Sequence, residues 1–150
     1  MVRYRKSPRL VEFDYAGTNG YFVTLVTAQR LPAFRSSAHA DLVLKALQTS
    51  AIKHRFGIPA YCFMPDHLHL LAVGQRPESN LKEFAHHFKT VSGFRYKRLT
   101  GRHLWQISYH DRVLRREEDL EAVADYIWCN PVRAGLAPDA ASYAFSNAPR

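Results

Sequence analysis

The hydrophobic and polar positions of this chain follow two periods, and the order in which those periods succeed one another predicts its elements. Residues 21–27 (Tyr-Phe-Val-Thr-Leu-Val-Thr) are aromatic and β-branched, as a buried strand requires. Ser36 and Ser37 then offer a helix cap, and the segment running to about Arg55 carries Leu42, Leu44, Ala46 and Leu47 on its apolar side. Gly57-Ile58-Pro59 breaks that helix, and residues 60–64 and 68–73 read as two strands joined at Pro65-Asp66. A second helix opens at Pro77-Glu78-Ser79-Asn80, where Asn80 and Glu83 have capping-box spacing; it is predicted to reach about Leu99 and stop at Gly101. Residues 104–113 are predicted to form a fourth strand. Glu117, Glu118 and Asp119 mark the start of a third helix, whose dipole favours acidic groups there, and Pro131 is expected to limit it.

Strand, helix, strand, strand, helix, strand and a terminal helix is an α+β order. It predicts a ferredoxin-like antiparallel sheet with helices packed on one face, plus an added C-terminal helix. No linker divides the sequence, so residues 1–150 are expected to be one domain, fronted by a basic arm of about residues 1–14. No apolar run approaches the roughly 18 residues that span a bilayer, and Met1-Val2-Arg3-Tyr4-Arg5-Lys6 is not followed by a signal-peptide core. A cytoplasmic protein with no membrane partner is the expectation. Cys62 and Cys129, the only cysteines, lie in apolar stretches and read as buried, inert thiols in a reducing compartment.

Charge changes this picture. A net charge of +8 attracts polyanions, and nucleic acid is the usual one, which would place the protein at the nucleoid. Arg3, Arg5, Lys6 and Arg9 lie in the arm, while Lys89, Arg95, Lys97, Arg98 and Arg102 follow the second helix. The latter alternate with Phe88, Phe94, Tyr96 and His103, which suits a phosphate track with stacking surfaces. Core packing is the other reading of those aromatics.

Two motifs carry candidate chemistry. In a strand, residues two apart share a face, so His67 and His69 project together about 7 Å apart at the backbone and can converge on one cation. A His-x-His spacing is weak evidence by itself in a chain with 8 histidines. His86-His87 is a useful control: neighbours on a helix diverge by about 100° and share a metal poorly. In the third helix, Leu120, Val123, Ala124 and Ile127 form a core-facing stripe, and Tyr126 and Asn130 lie about 40° apart on its shoulder. A phenol and an amide there can reach a metal held on the sheet. A free phenol, with a pKa near 10, is a poor nucleophile at neutral pH; a divalent cation acting through a scissile phosphate favours the phenolate and offsets charge on phosphoryl oxygens.

Phe63-Met64-Pro65-Asp66-His67-Leu68-His69-Leu70-Leu71 resembles the His-hydrophobic-His motif of single-tyrosine transposases. The run from Asp125-Tyr126-Ile127-Trp128-Cys129-Asn130-Pro131 through Val132-Arg133-Ala134-Gly135-Leu136 is similar to the catalytic-helix signature of their REP-associated tyrosine transposase branch. Tyr21-Phe22-Val23-Thr24 and Leu104-Trp105-Gln106 match it too, so the likeness covers residues 15–143, nearly the whole chain. The resemblance implies cleavage of single-stranded DNA beside a hairpin, with Mg²⁺ or Mn²⁺ and a 5′-phosphotyrosine intermediate. Carried over by position, Tyr126 is the nucleophile, His67 and His69 are metal ligands, and Arg133 is a DNA contact. Asn130 stands where many relatives have glutamine as third ligand; Asp66 is the substitute candidate. Tyr96, among basic residues, is a competing tyrosine better suited to contacting DNA, and Tyr109 is expected on a strand. A monomer and a homodimer both fit. Two other functions compete: a non-catalytic nucleic-acid-binding module on the same fold, and a hydrolase in which a histidine-bound metal activates water.

Overall fold

Four strands form one fully antiparallel sheet in the computed structural model, which describes residues 15–150. Arg3, Arg5, Lys6 and Arg9 lie outside the described residues. The strands are β1 (Gly20–Val26), β2 (Phe56–Met64), β3 (His67–Gly74) and β4 (His110–Leu114), in the order β2-β3-β1-β4. Helix α1 (Ser37–His54) links β1 to β2, α2 (Leu81–Thr100) links β3 to β4, and α3 (Glu117–Arg133) follows. Strand order and connectivity are those of the ferredoxin-like α+β fold, as the element order predicts.

Alternation along each strand divides the sheet into two faces. Tyr21, Val23 and Leu25 of β1 and Leu68, Leu70 and Ala72 of β3 pack under α1 and α2 with Phe34, Leu47, Phe84 and Phe88. Phe22, Leu71, Ala60, Cys62, Met64 and Leu114 point the other way and meet Val123, Ala124 and Ile127 of α3. The added helix thus covers the face opposite the first two.

The caps act as their residue types require. Ser36 accepts the His39 N–H and Asn80 accepts that of Glu83. Gly101 ends α2 in the left-handed region (φ 77°). Three boundaries differ from expectation. β2 begins at Phe56, directly after α1, because Arg55 takes a left-handed cap (φ 59°) and Pro59 is absorbed in a register shift between Gly57 and Ala60. The predicted fourth strand is interrupted: Thr27 pairs with Trp105 and Thr24 with His110, so three steps along β1 face five along its partner. The surplus bulges outward with Ile107 fully exposed, and Lys89 Nζ holds it by donating to the carbonyls of Gln106 (2.8 Å) and Ile107 (2.6 Å). Finally, Pro131 does not stop α3. The helix runs to Arg133 and closes on Gly135 (φ 73°), with Gly135 N–H bonded to Val132 O and Leu136 N–H to Pro131 O.

A further strip of backbone borders the outer edge of β2. Ser146 forms an antiparallel bridge with Cys62, Phe145 O accepts the Phe63 N–H and Asn147 N–H donates to Tyr61 O. Asn147 Oδ1 also accepts from Tyr61 N–H and from the Trp128 indole of α3 at 2.9 Å, tying that helix to the sheet edge. No helix among the described residues is long and apolar enough to cross a membrane.

Candidate active site

His67 and His69 occupy alternate positions of β3, on the face that α3 packs against, with ring centroids 4.6 Å apart. Each ring is fixed at Nδ1. His67 meets Asp66 Oδ1 at 2.7 Å, and Asp66 in turn pairs with Arg30 at 3.3 Å. His69 meets Thr24 Oγ1 at 2.8 Å, directly across the β1–β3 ladder. In the tautomers that make Nδ1 the donor, both Nε2 lone pairs remain for a cation, the arrangement by which metal-binding histidines are usually oriented. Burial opposes ionisation of Asp66, but hydrogen bonds and charge from His67 and Arg30 outweigh it and hold the carboxyl below its ordinary range. Both carboxylate oxygens are thus engaged, one by His67 and the other by Arg30.

His69 is 7% exposed, and burial, reinforced by His67 and Arg133, lowers its pKa to about 3. It is therefore neutral at physiological pH, the form that binds metal.

Tyr126 stands on the shoulder of α3 facing this pair. Its ring centroid lies 6.4 Å from that of His69 and 5.8 Å from Phe22, while His69 meets Phe22 edge-on at 5.3 Å. The Arg133 guanidinium sits 3.9 Å from the centre of the Tyr126 ring and donates to the Tyr126 carbonyl. Arg133 is thus placed at the nucleophile candidate itself rather than on a separate surface. Asn130 follows Tyr126 by one turn, half-buried, on the same side of the helix. Among the described residues no cluster of three or more His, Cys, Asp and Glu could hold a metal. The two imidazoles fit a cation only if the remaining donors are of another kind, such as the Asn130 amide, the phenol or substrate oxygens.

The basic track divides. Lys97 lines a groove of about 730 Å³ with Lys82, His86, Phe94 and His103, on the α2 side of the sheet. Lys89 borders the same groove but is engaged by the bulge, and it lies 6.0 Å from the Tyr109 ring. Arg95 and Arg98 are exposed outside the groove, Arg98 against the exposed Phe94 ring at 5.8 Å. Phe88 and Tyr96 are buried in the α1–α2 core, which removes Tyr96 both as a rival nucleophile and as a DNA contact. Tyr109 lies in the bulge, not on a strand. His87 bonds Ser50 and faces His54 across the α1–α2 seam, and burial first of all lowers the pKa of both imidazoles. Cys62 is buried, its thiol pushed up to about 12 chiefly by burial, but Cys129 is exposed, contrary to expectation.

Sequence reasoning missed the orienting roles of Thr24 and Asp66 and the link between Trp128 and Asn147. Thr24 did leave a signal, as a polar residue amid an apolar strand.

Comparison with known proteins agrees with this geometry. Residues 18–130 match the family model described as "Transposase IS200 like". A Haemophilus influenzae protein described as a REP-associated tyrosine transposase is 27% identical over 133 residues, which are 81% of this chain and 75% of that protein. Among solved structures, a REP-associated tyrosine transposase bound to a REP hairpin superposes with a TM-score of 0.77 at 19% identity, over 99% of this chain and 83% of the other. A transposase structure from Deinococcus radiodurans gives a TM-score of 0.57 at 21% identity, over 82% of this chain and 95% of that one. The structural likenesses speak for the fold, and the family model covers every residue of the His67–His69–Tyr126–Asn130 set: the chain belongs to the IS200-like transposase family.

Proposed function

We propose that this protein cuts and rejoins single-stranded DNA beside short hairpin repeats, with Tyr126 as nucleophile. The observation that carries the reading is the contact of the Tyr126 ring with His69, itself beside His67, in a pair of imidazoles whose Nδ1 atoms are already committed to Asp66 and Thr24. The hairpin preference is drawn from the relatives described as REP-associated transposases.

In this reading the Tyr126 oxygen attacks the scissile phosphorus and loses its proton to solvent. The new phosphorus–oxygen bond forms as the bond to the 3′ oxygen breaks, and the departing strand leaves as a 3′-hydroxyl. The 5′ phosphate remains esterified to tyrosine, so the bond is conserved and a second 3′-hydroxyl can displace the enzyme without ATP. His67 and His69, with Asn130, would hold Mg²⁺ or Mn²⁺, which supplies charge neutralisation on the phosphoryl oxygens. Arg133, stacked on Tyr126, fixes the ring and stands where a phosphate would pass. α3 packs on the same sheet that carries the two histidines.

The test is incubation with 3′-labelled hairpin DNA carrying single-stranded flanks, in Mn²⁺, followed by denaturing electrophoresis. A covalent adduct is expected from the wild type and none from Tyr126→Phe. Metal-dependent cleavage that survives Tyr126→Phe would instead establish a hydrolase, and chelator-resistant binding without product a non-catalytic binder.

A further inference from the structure

Gly93 is the least expected residue of α2. It lies in the interior of a 20-residue helix, where only proline is less favourable than glycine. Packing does not demand it. Outside the helix's own backbone, a methyl group built there would meet one neighbour, Cδ1 of Trp105, at 4.0 Å, an ordinary van der Waals contact. Both residues line the groove of about 730 Å³ between α2 and residues 103–109, and the methyl would stand over the edge of the indole inside it. The helix gives up stability at a point where the groove alone gains.

The indole beneath is held firmly. Trp105 Nε1 donates to Ser92 Oγ at 2.9 Å, Ser92 Oγ donates to Phe88 O at 2.6 Å, and the ring packs against Phe34 and Phe88 at 5.7 and 5.9 Å. Such a fixed, half-buried ring is a ready surface for another flat ring. Phe94, 63% exposed, adds a second ring at the rim. Charge narrows the choice of occupant. Lys82, His86, Lys89, Lys97 and His103 line the groove, and no Asp or Glu does among the described residues. Lys89 is engaged by the bulge, whereas Lys97 and His103 are exposed.

A flat ring joined to a negative charge is a nucleotide. Within a duplex both faces of a base are stacked, so a base laid on Trp105 must be unpaired; such stacking is sequence-tolerant and worth about 1–3 kcal/mol per base. The groove falls within the roughly 300–1,000 Å³ of small-molecule sites, room for a nucleotide but not for a double helix. Its position suits the strand being cut. Thr27 pairs with Trp105 and Gln106 N–H donates to Val26 O, while Val26 lies opposite His67. Two strand spacings, about 10 Å, therefore separate the groove wall from the His67 strand at the backbone.

Resting on the function proposed above, we propose that this groove holds one unpaired nucleotide of the substrate strand. Its base lies on Trp105 in the space Gly93 leaves, and Lys97 and His103 take its phosphate.

The experiment measures binding rather than cleavage, in a Tyr126→Phe background. A hairpin with single-stranded flanks is compared with the same hairpin made blunt. Gly93→Leu is expected to weaken binding of the flanked hairpin about tenfold and to leave the blunt one unchanged. Gly93→Ala should show the same pattern at severalfold while unfolding at a higher urea concentration, so it keeps the test valid if Gly93→Leu does not fold. Bases of the flanks are then removed one at a time. At one abasic position the wild-type groove should lose about tenfold and the Gly93 variants nothing more. Equal binding of both hairpins by the wild type, an unchanged affinity in the Gly93 variants, or a penalty that no abasic position removes would overturn the inference. Thymidine monophosphate displacing the flank at micromolar concentration would make a free nucleotide the occupant and overturn it equally. A groove that behaves as expected beside an unreactive wild-type Tyr126 would defeat the proposed chemistry and leave the groove standing.

Discussion

The two faces of the sheet are built by the same strands and have opposite characters. Under α1 and α2, the inward residues of β1 and β3 are all apolar and sealed by two helices. On the other face the same strands alternate into Phe22, Thr24, His67 and His69, and among the described residues a single helix, α3, packs there. A strand cannot carry a packed core and a polar site on one side, but its two-residue period lets it carry one on each. The sealed face supplies stability, and the face under α3 can keep ligands and a nucleophile in reach of one another.

Adjacent residues test this division most severely. Leu68→Ala should cost about 2–5 kcal/mol of stability, the range for emptying a buried leucine site, yet leave adduct formation per folded molecule unchanged. His67→Ala should do the reverse. Loss of several kcal/mol of charge stabilisation predicts at least about a hundredfold fall in adduct rate, with stability moved by less than about 1 kcal/mol. Urea unfolding and single-turnover labelling of the same two variants decide the matter. If both measurements moved together in both variants, the faces would not be separable.

Next in size is Thr24→Val, which keeps the shape of the side chain and removes the partner of His69 Nδ1. The Mn²⁺ concentration needed for half-maximal adduct formation should rise about 10–100-fold. No change would mean that the threonine merely fills space.

Acidification probes the same imidazole through stability. His69 ionises near 6.5 in the unfolded chain but only at about 3 when folded, so between those values the unfolded state holds the extra proton. Stability should fall as pH drops below 6.5, by up to about 1.4 kcal/mol per unit from this group. His54 and His87, also lowered, act in the same direction from the other side of the sheet. Subtracting the pH profile of His69→Gln from that of the wild type isolates the α3 face; identical profiles would show that His69 is not held neutral. The smallest effect is expected from Lys97→Ala in the α2 groove. DNA affinity should weaken severalfold, evenly across sequences, and its logarithmic salt slope should fall by about one.

Much of this was legible in the sequence because it is local. Period and caps located α1 and α2, two-residue spacing put His67 and His69 on one face, and helical spacing set Tyr126 beside Asn130. What escaped depends on which strand lies next to which. Thr24 gains its role from a residue 45 positions away, and the bulge around Ile107 exists because β1 resumes pairing at Trp105. Phe88 and Tyr96 read as stacking surfaces because basic residues surround them in sequence, whereas helical periodicity turns them inward. Pro131 drew attention as a helix stop, but the glycine four residues later supplies the left-handed turn.

The strip from Phe145 to Asn147 has a practical consequence. It occupies hydrogen-bonding positions along β2 that would otherwise be open to another chain, and one asparagine braces the tyrosine helix against that rim. A version of the protein cut before Phe145, or carrying a bulky purification tag fused close behind Asn147, would leave a sticky sheet border and a loosened Tyr126 helix at once. Poor behaviour of such a preparation would then say little about the chemistry of the intact chain.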